Sequence, residues 1–216
     1  MKKKTKQDYM KRLRSLIEIG VALSSEKELN SLLSVILEKS LTVTQAEGAS
    51  IYLSHEKAKQ EVENVVSLQK ESVLRFLKST NRREGQKDRQ GVLPIDSSSV
   101  AGHVAQTKEI LNIPDCYRIS EKADFQFNKS YDLDTNYKSK SMLTVPMITA
   151  DGKVRGVLQL VNKLSDIGME KVKEGDAPSP KNIIKFTRED EELMRVFASY
   201  AAIVLENSQL TASIEK

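Results

Sequence analysis

Residues 141–161 constrain the fold more than any other stretch of this chain. Residues 141–148 and 154–161 are two apolar runs of strand length, and Asp151-Gly152 lies between them. Asp-Gly is a turn pair that folds a backbone back on itself, so the two runs are predicted to pair as an antiparallel hairpin. A sheet begun this way grows most easily by further antiparallel strands, and its apolar faces need helices to cover them.

The rest of the chain supplies both. Residues 9–23 are predicted helical, with Tyr9, Leu13, Leu16 and Ile17 on one face. Ser25-Glu26-Lys27-Glu28 fits a capping box, and Leu29, Leu32, Leu33, Ile36, Leu37 and Leu41 follow at helical spacing. Residues 49–53, after Gly48, read as a strand and 73–77 as a second. The polar stretch 55–72 favours neither period. Residues 81–91 are charged, glycine-punctuated and free of apolar side chains, which predicts a surface loop. Residues 92–95 are a strand that Pro94 pushes toward an edge or a strand end. Residues 97–107 read as a short helix capped by one of three serines, despite Gly102, and 109–113 as a short strand stopped by Pro114.

Residues 115–140 are polar and aromatic, with Phe125, Phe127, Tyr131 and Tyr137. So long a segment without structure is unusual, and a functional lid with a helical turn or two is predicted. Residues 165–185, with Pro178 and Pro180, are predicted to be a second exposed loop. Thr187 with Asp190 opens a last helix whose stripe is Leu193, Val196, Phe197, Tyr200 and Val204. The fold class is α+β, an antiparallel sheet with helices largely on one face.

Length and charge bound the function. The 216 residues suffice for one domain with helical extensions, and the 39% apolar content is too high for a disordered chain. The net charge of +4 hides an imbalance: residues 1–14 carry +6, which leaves −2 for the remainder. The body of the protein is therefore not basic, and no nucleic-acid partner is expected. Apolar runs fall far short of the roughly 18 residues a membrane helix needs, so no membrane span is expected. No apolar segment follows the basic start, so no secretory signal is expected, and a single cysteine, Cys116, suits a reducing, cytoplasmic setting.

Reactive constellations are missing. The chain has no G-x-S-x-G, no phosphate-binding glycine loop and no H-E-x-x-H. His55 and His103 are far apart, and neither has a metal-ligand partner at helical spacing, so no metal site is expected. The adjacent carboxylates Asp190-Glu191-Glu192 suit the start of a helix without any acid–base role. No catalytic residue is assigned, and the chain is not expected to be an enzyme.

Three stretches carry a family signature. The first runs Ser99-Val100-Ala101-Gly102-His103-Val104-Ala105-Gln106-Thr107-Lys108-Glu109-Ile110-Leu111-Asn112-Ile113-Pro114-Asp115. The second is Phe127-Asn128 with Asp132, Thr135, Tyr137 and Ser139. The third is Asn162-Lys163, followed by Phe186 and Asp190-Glu191. Together they resemble the GAF domains that bind cyclic nucleotides in phosphodiesterases and bacterial adenylyl cyclases. The resemblance covers residues 25–207. It leaves residues 1–24 as a basic N-terminal helix and 208–216 as an extension of the last helix.

The resemblance implies a GAF fold, with a six-stranded antiparallel sheet flanked by helices and a deep pocket under the lid. It implies that Ser50, Ala101, Phe127, Asp132, Thr135, Ser139 and Gln159 line the site. It gives Asn162, Lys163, Phe186, Asp190 and Glu191 a structural role, with Lys163 paired to Asp190. The ligand it implies is cAMP or cGMP, with no further cofactor. A phosphate can be held by a helix start, backbone N–H groups and hydroxyls without a basic cluster. Residues 97–101 could provide such donors, and Thr135 and Ser139, four apart, are expected to share one side of a helical turn.

Asn136 stands where the family has glycine, Ser139 where it has threonine, and Gln159 where an acidic residue is common. Residues 78–90 do not match the family's base-reading segment, so the base is not legible. The function expected is a regulatory module that binds a cyclic nucleotide and signals through its terminal helices as a homodimer. The alternative is a ligand-free dimerisation module.

Overall fold

The computed structural model describes residues 29–56, 72–81, 91–135, 137–173 and 178–214. The expected helix over 9–23, the capping box at 25–28, the position of Asn136 and most of the charged loop over 81–91 lie outside the described residues.

Helix α1 (Leu29–Thr44) buries Leu32, Leu33, Ile36, Leu37 and Leu41, the face its spacing sets apart. It ends where Gln45 turns left-handed at φ 58, and strand β1 (Ala46–Glu56) starts at the next residue. Strand β1 begins three residues before the predicted one because Ala46 and Gly48 already pair with Lys163 and Val161. Strands β2 (Ser72–Asn81) and β3 (Val92–Pro94) follow, with β3 at the edge where a proline costs no ladder bond.

Helix α2 (Val100–Thr107) takes Ser99 as its cap, whose hydroxyl accepts from the Gly102 N–H at 3.0 Å. Gly102 is tolerated in the helix for a steric reason. A Cβ there would run into the carbonyl oxygens of Pro94 and Asp96, so only glycine lets the helix lie this close to the preceding chain.

Strand β4 (Leu111–Ile113) leads into the segment over 115–140, which contains one short helix, α3 (Ser130–Thr135). The hairpin of β5 (Met142–Ile148) and β6 (Val154–Leu164) then forms as its sequence dictates. Gly152 turns it at φ 79, a backbone conformation that glycine adopts without strain.

Residues 165–185 differ from the expected exposed loop. They hold helix α4 (Asp166–Lys173), a 3-10 turn (Pro180–Asn182) and the two-residue strand β7 (Ile183–Ile184). Ser165 starts α4 by accepting from the Met169 and Gly168 N–H groups, and β7 pairs with the end of β6 past the point where β5 begins. The prolines punctuate this segment without excluding order.

Helix α5 (Arg188–Ile214) opens with a capping box. The Thr187 N–H donates to Asp190 Oδ2 at 2.7 Å and the Asp190 N–H donates to Thr187 Oγ1 at 3.2 Å.

The strand order is β3-β2-β1-β6-β5-β4, a six-stranded antiparallel path, with β7 attached to β6 outside it. Directly paired residues share a face. On one face Ala49, Ile51, Leu53, Leu143, Val145, Leu158 and Leu160 form the main core with α1 and α5. On the other, Tyr52, Leu74 and Val157 pack under Ala101, Val104 and Ala105 of α2. The architecture is α+β, and among the described residues α2 and the 115–140 segment pack on the second face.

The stripe of α5 is rotated from its expected phase. Leu193, Met194, Phe197, Ala198, Ala201, Ala202 and Leu205 are buried, whereas Val196 and Tyr200 face outward. The three alanines explain the rotation, since small side chains let the helix approach the sheet closely on that face.

Candidate functional site

The second face of the sheet carries an open-mouthed cleft with about 370 Å³ of empty space, its mouth included. Tyr52, Met142 and Gln159 form its floor on β1, β5 and β6. Ser99, Val100 and Ala101 bring the start of α2 to one wall, Leu93 borders it from β3, and Phe127 and Asn128 reach in from the 115–140 segment. None of these lining side chains is a cation or a carboxylate. The cleft therefore offers aromatic and apolar contact, hydroxyl and amide groups, and the first N–H groups of a helix, which carry partial positive charge.

The expected site residues divide into three groups. Ala101, Phe127 and Gln159 line the cleft. Ser50 sits beside them, paired with Gln159 across β1 and β6 and half-buried on the same face. Asp132, Thr135 and Ser139 do not line it.

Asp132 is buried and accepts three hydrogen bonds within the segment. Tyr117 OH donates to Oδ2 at 2.7 Å, the Ser139 N–H to Oδ2 at 2.8 Å, and Ser139 Oγ to Oδ1 at 2.8 Å. The expectation that Thr135 and Ser139 share a helical turn is not met. Helix α3 ends at Thr135, whose hydroxyl donates back to the Tyr131 carbonyl at 2.7 Å, while Ser139 lies beyond the helix and turns to Asp132. A threonine at a helix end satisfies itself locally, and a buried carboxylate recruits whatever donors fold around it.

The segment is fastened at several further points. The Gln126 N–H donates to the Ser97 carbonyl at 3.0 Å and the Cys116 N–H to the Lys140 carbonyl at 2.7 Å. Tyr117 packs edge-on to Phe127, with Lys129 and Lys138 each 5.2 Å from its ring centroid. Burial, the Asp132 hydrogen bond and the Asp132 charge hold the Tyr117 hydroxyl protonated up to about 12. Cys116 is buried, and burial together with the nearby Asp132 and Asp115 charges pushes its thiol up to about 12. That makes it a poor nucleophile at neutral pH. His103 is packed as well, its Nδ1 at 3.1 Å from Ser97 Oγ and its ring 5.4 Å from that of Phe125.

The Asn162, Lys163, Phe186, Asp190 and Glu191 set lies away from the cleft and ties elements together. Lys163 Nζ meets Asp190 Oδ2 at 2.8 Å and donates to the Thr44 carbonyl at 2.8 Å, joining β6 to the start of α5 and the end of α1. Asn162, left-handed at φ 57, donates to Glu47 Oε2 at 2.8 Å and the Lys138 carbonyl at 2.9 Å, and accepts from the Lys140 N–H at 2.7 Å. Asn112 Nδ2 reaches Glu191 Oε1 at 2.6 Å and the carbonyl of the buried Phe186 at 3.0 Å.

Sequence reasoning missed Tyr52, Leu93, Asn128 and Met142 in the lining, and Thr144, which contacts Gln159. A signal existed for Thr144. Counting back from the Asp151-Gly152 turn sets residue 144 opposite residue 159, and Thr144 is a polar residue inside an apolar strand. Tyr52 and Met142 look like ordinary core residues in sequence, and only the sheet's two-sidedness brings them to a cleft.

Among curated proteins, the dual 3′,5′-cyclic-AMP and -GMP phosphodiesterase 11A of Takifugu rubripes is 32% identical over 117 residues, 54% of this chain and 11% of that protein. The cGMP-specific 3′,5′-cyclic phosphodiesterase of Drosophila erecta is 32% identical over 111 residues, 51% of this chain and 8% of that protein. The chain thus covers only a minor part of these relatives' length.

Among solved structures, the GAF domain of a phosphoenolpyruvate-protein phosphotransferase from Coxiella burnetii superposes with a TM-score of 0.64 at 13% identity, covering 94% of this chain and 98% of that one. The free methionine-R-sulfoxide reductase from Neisseria meningitidis, in complex with its substrate, gives 0.60 at 14% identity, covering 93% and 91%. At such identities the likeness concerns the fold alone. A family model described as the GAF domain matches residues 28–205, most of the chain, and the chain belongs to that family.

Proposed function

We propose that the cleft binds a cyclic purine nucleotide, cAMP or cGMP, and that the chain is a regulatory, non-catalytic module. The observation that carries this reading is the cleft itself, where a helix start, an aromatic ring and a buried amide converge with no charged side chain among them. Phe127 suits stacking on a flat base. The N–H groups at the start of α2 suit a singly charged phosphate diester, for which a cluster of cations is not needed. The two relatives named above, phosphodiesterases of cyclic AMP and cyclic GMP, support the same ligand class. In this reading Asp132 and Ser139 hold the 115–140 segment over the ligand, and Ser50 extends the floor. Thr135 reaches the ligand only after releasing the Tyr131 carbonyl.

Among the described residues no helix is long and apolar enough to cross a membrane; a cytoplasmic setting is part of the proposal and rests on the single cysteine of the chain. A second reading, that the chain also or only dimerises, is favoured by one observation. Val196, Tyr200 and Ile203 are 39%, 45% and 47% exposed at helical spacing along α5.

Thermal melting with added nucleotide tests the first reading. A ligand that binds only the folded state stabilises it by about 2.7 kcal/mol at a hundredfold excess over Kd. On protein shown by mass to be nucleotide-free, cAMP or cGMP is expected to raise Tm by several degrees while 5′-AMP does not. No rise with either at about 1 mM, a level that saturates any site of micromolar Kd, overturns the reading.

A further inference from the structure

Tyr117 is turned the opposite way from an ordinary surface tyrosine. The residue is 38% exposed, yet its hydroxyl points inward and donates at 2.7 Å to Oδ2 of Asp132, which is 4% exposed. A tyrosine at a surface ordinarily lays its ring on the protein and keeps its polar tip in water. Here the tip is fixed inside the 115–140 segment, on a carboxylate that Ser139 also holds. Lys129 and Lys138, on either flank of α3, each bring Nζ to 5.2 Å from the Tyr117 ring centroid. The Phe127 ring lies 5.7 Å away, at 67° to it.

Phe127 lies in no helix or strand. The neighbouring Gln126 N–H donates to the Ser97 carbonyl at 3.0 Å, which fixes the chain there but not the ring. The side chain packs against the apolar cluster of Val100, Ile113, Cys116 and Met142. Apolar contact of that kind is non-directional, and the second torsion of a phenylalanine is broad. A neighbouring aromatic ring is different, because aromatic pairs prefer tilted or offset arrangements and so select a plane. Phe127 is at the same time one of the side chains lining the cleft. The plane of its ring therefore decides which surface the cleft presents.

We propose that Tyr117 is a positioning residue of the cleft: anchored through its hydroxyl on Asp132, it sets the plane of the Phe127 ring. Tyr117 itself stays outside the cleft and acts through Phe127. Its consequence for nucleotide affinity rests on the nucleotide reading, whereas the positioning of Phe127 does not.

The test uses the full chain and reads the two parts separately. Ring proton NMR signals of Phe127, assigned by their loss in Phe127→Leu, are recorded without nucleotide. Overhauser contacts between the Tyr117 and Phe127 rings are expected in the parent. They are expected to weaken in Tyr117→Phe, which keeps the ring and loses the anchor. Absence of these contacts in the parent overturns the proposal, and so do contacts of undiminished strength in Tyr117→Phe.

In the second part cAMP and cGMP are titrated. Tyr117→Leu is expected to weaken whichever one binds by about three- to tenfold in the parent, and to have no further effect in Phe127→Leu. The same loss in both backgrounds means that Tyr117 acts on the fold and not through Phe127, and overturns the proposal. So does the absence of any loss in the parent. Should Tyr117→Leu fail to fold, Tyr117→Phe completes the same cycle. Should Phe127→Leu bind too weakly to complete it, the ring contacts decide alone. Binding of neither nucleotide to the parent sinks the nucleotide reading, while the ring contacts still decide the role of Tyr117.

Discussion

Lys163 and Asp190 keep only 9% and 2% of their side chains exposed, and each has a further hydrogen-bonding partner besides the other. A buried ion pair adds little net stability compared with an apolar pair, but breaking it strands a charge. Lys163→Met leaves the Asp190 carboxylate buried beside Thr187, and is expected to lower unfolding free energy by about 3–5 kcal/mol. Urea denaturation measures this, and a loss below about 1 kcal/mol would mean that the pair does not hold the fold.

The pairing was expected only through the family resemblance, which carries Asn162-Lys163 and Asp190 as parts of one signature. The Asp132 interactions were not legible. A carboxylate in a polar segment gives no sign of which hydroxyl it will bind, and Asp132 meets both Tyr117 and Ser139 only once the segment has folded. A consequence is that Ser139→Ala, which from sequence would touch binding alone, now also removes a buried hydrogen bond to a charged group.

At the scale of elements, the sequence was most informative where the pattern was short-range. The β5–β6 hairpin follows from its turn and its two apolar runs, α2 from its serine cap, and the start of α5 from Thr187 and Asp190. It was least informative where apolar residues surround a helix. In α5 the residues over 193–205 are apolar on nearly every side, so periodicity could not tell which face the sheet would take. Packing decided it in favour of the alanines. Val196, Tyr200 and Ile203 were left outside, and with them the surface on which a second copy would pair. A dimer made along this face is expected to sediment as one species at about 100 μM, where a micromolar Kd saturates, and Tyr200→Glu is expected to shift it to monomer. A parent chain that is monomeric at that concentration, or a dimer indifferent to Tyr200→Glu, removes α5 as the interface.

At the scale of the whole molecule, the sheet separates two tasks. One face is closed by α1 and α5 with aliphatic side chains and fixes stability. The other carries, among the described residues, α2 and the 115–140 segment, with a neutral, hydrogen-bonding cleft between them. The family resemblance marks the second face by Ala101, Phe127 and Gln159, yet the floor residues Tyr52 and Met142 become visible only when β1 and β5, far apart in the chain, come to lie on either side of β6.

A ligand in that cleft has to act on one side of the sheet first. Backbone amide NMR during a titration with cGMP or cAMP tests this most directly. The expected result is a set of saturating shifts at residues 99–101, 127–128, 142–144 and 157–159, with α1 residues over 32–41 nearly unmoved. Shifts clustered on α1 and α5, or none at any nucleotide concentration, would contradict the claim that this cleft is the binding site.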